Sequence, residues 1–120
     1  MTTVQINITK EVLEKTANCD EGRAANCAVA YVVRKLIPCA QVSSCLIYIN
    51  NDPIDYRSIP LPKKATAFIK LFDRLLPNER LLITPFSFNI KISDKILELL
   101  VPINEIKESL TLKVIQNQLV

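Results

Sequence analysis

Residues 24–38, AANCAVAYVVRKLIP, set the tightest limit on what this chain can become. Nearly every position up to Val33 is apolar or small, so no face of the segment reads as solvated. A helix that is apolar all round has to be covered on every side by the rest of the protein. It is too short to span a bilayer, which takes about 20 apolar residues. The segment therefore predicts a buried central helix over 27–37 in a single domain of 120 residues, with no membrane partner. Asn26 is a candidate N-cap for a start at Cys27, a start at Arg23 being the alternative. Arg34 and Lys35 in the last turn complement the helix dipole, and Pro38 stops the helix.

The flanking chain supplies the cover. Residues 3–8 alternate, with Val4, Ile6 and Ile8 on one face and Thr3, Gln5 and Asn7 on the other, the pattern of a half-buried strand. Thr9 caps a helix over 10–17 that carries Val12, Leu13 and Thr16 at helical spacing. Residues 18–23 are a polar loop. Residues 41–49, including Cys45, read as one inner strand because both faces turn apolar toward Ile49. Residues 50–60 form a polar connection stiffened by Pro53 and Pro60. Residues 61–76 are the clearest amphipathic helix, with Leu61, Ala65, Phe68, Ile69, Phe72, Leu75 and Leu76 as its stripe. Pro62 suits its first turn and Pro77 ends it. Residues 81–83 read as a short strand and 86–92 as a longer one, with Phe86, Phe88, Ile90 and Ile92 inward. Ser93 caps a helix over 94–100, Asn104 another through 110, and 111–115 form a last strand. The class is α+β: a mostly antiparallel sheet of three to five strands with helix 27–37 packed on it and helix 61–76 covering another part.

Residues 5–14, QINITKEVLE, echo residues 89–98, NIKISDKILE. Each is an alternating strand, a hydroxyl cap and then a helix opening with Val/Ile-Leu-Glu. Either a repeat or a shared strand-to-helix grammar produces this, and both strands are expected in one sheet.

Composition excludes several kinds of chemistry. The chain has no histidine, which removes the usual general base and the commonest metal ligand. A single glycine cannot build a glycine-rich phosphate loop. The four cysteines, Cys19, Cys27, Cys39 and Cys45, have no C-x-x-C spacing, so they read as core thiols of a reducing compartment rather than as a zinc set. Cys19, in a polar loop near Arg23, is the best-placed thiol, but no base is available to activate it. Asp52 with Asp55, and Asp20 with Glu21, read as solvated loop carboxylates. Neither catalytic residues, nor a metal, nor a cofactor is expected. The first eleven residues, MTTVQINITKE, lack the basic and apolar regions of a secretory leader.

Residues 26–30, NCAVA, followed by Pro38-x-Ala40-x-Val42 and by residues 86–90, FSFNI, resemble small orphan proteins of bacteriophage and prophage genomes. Those proteins often enter a helix through Asn-Cys-Pro-Ile/Val-Ala, and Ala28 stands here where proline is frequent. The likeness spans roughly residues 3–100. It implies a phage-type accessory protein acting in the bacterial cytoplasm, and it brings no catalytic residues with it.

Two surfaces could bind a partner. Tyr56 and Arg57 can stack on a base and hold a phosphate, or simply pack on the core edge and in solvent. Lys63 and Lys64 begin a helix, where positive charge opposes the dipole; a bound anion, or solvent screening, would relieve the conflict. The expected function is non-enzymatic. It is a homo-oligomeric phage-type protein that sequesters an anionic small molecule, such as a nucleotide-derived host immune signal, or inhibits a host protein. Tyr56, Arg57, Lys63 and Lys64 would bind the ligand. The alternative is a ribbon-helix-helix-like DNA-binding regulator, with Thr3, Gln5 and Asn7 of the N-terminal strand facing the bases. That strand carries no Arg or Lys on its polar face.

Overall fold

The computed structural model describes residues 2–19, 28–38, 40–49, 58–93, 96 and 111–117. In chain order its elements are β1 (Thr2–Ile8), α1 (Lys10–Thr16), α2 (Ala28–Leu36), β2 (Ala40–Val42), β3 (Leu46–Ile49), β4 (Ile59–Pro60), α3 (Lys63–Arg74), α4 (Pro77–Arg80), β5 (Phe86–Ile92) and β6 (Leu112–Asn117). The α+β class holds, with the strands shared between two antiparallel three-stranded sheets, β5-β1-β6 and β2-β3-β4.

β1 is the middle strand of the first sheet. Ile6 lies opposite Phe88 on one side and Leu112 on the other. Its Val4, Ile6 and Ile8 are fully buried, while Thr3, Gln5 and Asn7 are half-buried on the other face. Thr9 then turns the chain from strand into helix: its backbone is extended, and its hydroxyl accepts the Val12 N–H at 3.2 Å.

The echoed strands are neighbours, as expected, and their register is informative. Gln5 and Asn89, the first residues of the two echoed segments, lie directly opposite each other in the antiparallel ladder. A local two-fold axis through that pair therefore interchanges β1 and β5. Each strand leaves the pair toward its own hydroxyl residue: Thr9 at one end of the sheet and Ser93 at the other. The Ser93 carbonyl accepts the Ile96 N–H at 3.1 Å. The rest of the helix expected over 94–100, and that from Asn104 to 110, lie outside the described residues.

α2 is the central helix. It packs against β1, β2, α1 and α3, and Ala28, Val29, Ala30, Val32, Val33 and Leu36 are fully buried. One narrow strip of it meets solvent: half-buried Tyr31 with Lys35 above its ring at 4.9 Å, and Arg34, whose Nε donates to the Pro38 carbonyl at 3.3 Å. Cys27 and the proposed cap Asn26 lie outside the described residues.

Four readings of the sequence need correction. Residues 41–49 are a hairpin, β2 and β3, rather than one strand. Ser43 breaks it: its Oγ accepts the N–H groups of Cys45 at 3.3 Å and Leu46 at 3.0 Å, and its own N–H reaches the Leu46 carbonyl at 2.8 Å. The hydroxyl offers the backbone a local alternative to the ladder, which puts Cys45 in an exposed turn. Replacing Ser43 with Ala should cost about 1 kcal/mol of stability in a urea titration, because two backbone donors lose their acceptor; an unchanged midpoint would assign the turn to the backbone alone. Second, the helix expected over 61–76 runs only from Lys63 to Arg74, with Pro62 as its extended N-cap and Leu75 extended, and Pro77 opens α4 instead of merely closing α3. Leu76 consequently leaves the buried stripe and is exposed. Third, residues 81–83 form a turn, not a strand. Fourth, the polar connection before α3 ends in a short strand, β4, which tolerates Pro60 because it lies on the sheet edge.

Candidate binding face

α3 divides cleanly. Ala65, Phe68, Ile69 and Phe72 face the core, while Lys63, Lys64, Ala67, Lys70, Leu71 and Arg74 are exposed. The chain leaving α4 passes alongside this outer surface. Together the two segments enclose a groove of about 320 Å³ lined by Lys64, Ala67, Phe68, Leu71 and residues 83–86.

The groove is apolar at its base. Phe68 and Phe86 stack in a tilted pair, centroids 4.8 Å apart, and continue to Phe72 at 5.6 Å and Phe88 at 6.1 Å. Such offset contacts hold aromatic rings at fixed angles. Lys64 lies at the rim, its ammonium 5.7 Å from the Phe86 centroid. Its methylene stem covers apolar surface while the charge stays wet. Leu71, 48% exposed, lines the groove; the other large hydrophobic side chains exposed among the described residues are Leu76, Leu81 and, at 83%, Leu82, all in the chain that runs from α3 to residues 83–86, with Ile115 elsewhere on β6.

Arg80 fixes the position of this face. It is 4% exposed, and its guanidinium donates from Nε to the Phe72 carbonyl at 2.8 Å. Its Nη1 reaches the carbonyls of Ala17 at 2.8 Å and Cys19 at 3.1 Å. The guanidinium also lies 4.1 Å from the Phe72 ring centroid. Its acceptors stand at the C-terminal ends of α1 and α3, where helix dipoles present partial negative charge. A buried cation is thus satisfied by carbonyls and stacking, with no carboxylate among the described residues. Arg80 therefore locks α4, and with it the chain leading to the 83–86 wall of the groove, to α1 and α3.

The sequence-predicted residues divide as follows. Lys63 and Lys64 are exposed in the first turn of α3, where Pro62 provides no side-chain cap. A second cleft, about 260 Å³, lies beside this helix start, between residues 60–62 and Asn89, Ile90 and Lys91 of β5. Tyr56 and Arg57 lie outside the described residues, as do Asp20, Glu21, Asp52 and Asp55. Cys19 is half-buried, its Sγ 3.8 Å from Arg80 Nη1. Among the described residues no group of three His, Cys, Asp or Glu could hold a metal ion. No described helix is long and apolar enough to cross a membrane. β1 is paired on both edges within the chain, so it has no free edge from which to build a ribbon with a second copy.

Leu71 and Leu82 were not singled out by the sequence pattern. Leu71 borders the buried stripe of α3 on the helical wheel, and such a border position is the only local sign that it could escape burial. Leu82 carries no local sign, because its exposure follows from where Arg80 anchors the turn before it. Compared with protein-family models, curated proteins and solved structures, the chain matches none of them.

Proposed function

We propose that this chain is a non-enzymatic binding protein whose partner is another protein seated on the α3 face. The observation that carries the reading is the groove itself, aromatic at its base and walled by exposed Leu71, with three further exposed leucines, Leu76, Leu81 and Leu82, in the chain that runs from α3 to its other wall. An apolar groove flanked by exposed hydrophobic side chains is a common mark of an interaction site. The resemblance to phage orphan proteins supports the host-interference setting: a phage-type accessory protein that inhibits a bacterial protein by occupying one of its surfaces.

The test places a photo-cross-linker on the face. Leu82→p-benzoylphenylalanine changes an almost fully solvated position, so the fold is preserved. Irradiated in bacterial lysate, it should yield one discrete protein adduct. Leu71→Glu in the same chain should abolish that adduct, and the same cross-linker at exposed Lys113 of β6 should not form it. Equal labelling from both positions, or none from either, overturns the reading.

The second reading is sequestration of a small anion. Its support is the start of α3, where Lys63 and Lys64 stand without a side-chain cap beside the cleft that Lys91 lines. It also draws on Tyr56 and Arg57, and ultraviolet absorbance with native mass spectrometry of freshly purified protein tests it. A bound nucleotide would add mass and stand out at 260 nm against three tyrosines and no tryptophan.

A further inference from the structure

We infer that the α3 face docks an acidic amphipathic helix of the partner protein. The inference rests on the protein-binding reading above and adds the chemistry of what is bound. The six exposed residues of α3 are Lys63, Lys64, Ala67, Lys70, Leu71 and Arg74. At about 100° per residue they fall on one continuous arc of the helix. Four are cationic, two are apolar and none is acidic. Ala67 and Leu71, one turn apart, form the helical wall of the groove, and Lys64 stands on its rim.

A ligand that matches this arc turns apolar side chains inward at one-turn spacing and carries carboxylates beside them. Acidic groups alone would leave Leu71 and the exposed part of Phe86 in water. Apolar groups alone would crowd four cations without counter-charge, which weakens both encounter and register. The groove follows a helix, and i±3 and i±4 side-chain rows are the surfaces into which a second helix packs. A second copy of the chain fits poorly, because a two-fold contact through this face would set like charges against one another. Nucleic acid would satisfy the cations but leave Leu71 and the aromatic base uncovered.

Selection of a displayed library of helical peptides on the full chain tests this, followed by fluorescence anisotropy of the enriched sequences. Enriched peptides should combine Asp or Glu with Leu, Ile, Phe or Met at i and i+4. The exposed double substitution Lys64→Glu with Lys70→Glu, confirmed folded by circular dichroism, should weaken them about tenfold. Peptides with their own acids changed to Lys should regain affinity for that variant. Enrichment without acids, unchanged affinity in the charge-reversed protein, or no enrichment overturns the inference. Tighter binding to phosphatidylserine vesicles or to an oligonucleotide than to any selected peptide also overturns it, assigning the cations to phosphate. If Leu82 cross-links to a protein through a segment that is not an acidic helix, this inference falls while the protein-binding reading stands. Absence of a Leu82 adduct removes the reading itself.

Discussion

Replacing Arg80 with Met should lower the unfolding free energy by about 2–4 kcal/mol and the melting temperature by roughly 10 °C. The side chain is almost fully buried, and its guanidinium serves three carbonyls from two helix ends and from the chain after α1. Met approximates the volume but leaves the Ala17 and Cys19 carbonyls without this donor. Part of the loss is offset, because a buried cation no longer has to shed its water. Arg80→Lys keeps the charge but lacks the planar fork that reaches acceptors on two sides, so it should recover less than half of the loss. Urea unfolding followed by circular dichroism measures both variants. A loss below about 1 kcal/mol for Arg80→Met would mean the guanidinium is effectively solvated, and the locking role assigned to it would fail. The Leu82 cross-link offers a second readout, since loosening of α4 should spread the adducts over several products.

Ile6→Ala should cost about 3–4 kcal/mol. Ile6 is fully buried at the centre of the middle strand, with Phe88 opposite on one side and Leu112 on the other. Both neighbours are held in register by their own ladders, so little can move to fill the space that three methyl or methylene groups vacate. Gln5→Ala, one position away on the other face, should change stability by less than about 1 kcal/mol. The contrast tests the alternation itself. Equal losses at the two positions would place β1 between two packed layers instead of between a core and a wetter face.

The elements that could be read from the sequence are those whose signal is local. The alternation in residues 3–8 and 86–92 marks β1 and β5, and the Thr9 hydroxyl marks the start of α1. α2 could be placed at the centre of the fold because an apolar segment of that length has nowhere else to go. The missed features are those decided by distant partners or by a single hydroxyl. Residues 43–45, Ser-Ser-Cys, fit a strand as well as a turn until Ser43 Oγ captures two backbone N–H groups. β4 is only two residues long and includes a proline, so its identity comes from β3 beside it. Arg80 reads as an ordinary surface arginine, because its acceptors at positions 17 and 19 lie in an unconnected part of the chain. Of the candidate site, Lys63 and Lys64 stood out through their conflict with the helix dipole. The apolar half of the face did not, because the exposure of Leu71 and Leu82 depends on the course of the chain after α4.

The position of β1 also governs the order of assembly. It is made before both of its partner strands: Ile8 pairs with Phe86 on one side and Thr2 with Asn117 on the other. While the chain is being synthesised, α1, α2 and the β2–β3 hairpin can gather from local contacts. β1 meanwhile waits with both edges open and Val4, Ile6 and Ile8 still uncovered. Closing loops of that length is entropically costly and slows folding. An unpaired, alternating apolar strand is also the kind of surface that recruits other nascent chains or chaperones. Translation rate and chaperone supply should therefore affect the yield of this protein more than its small size suggests.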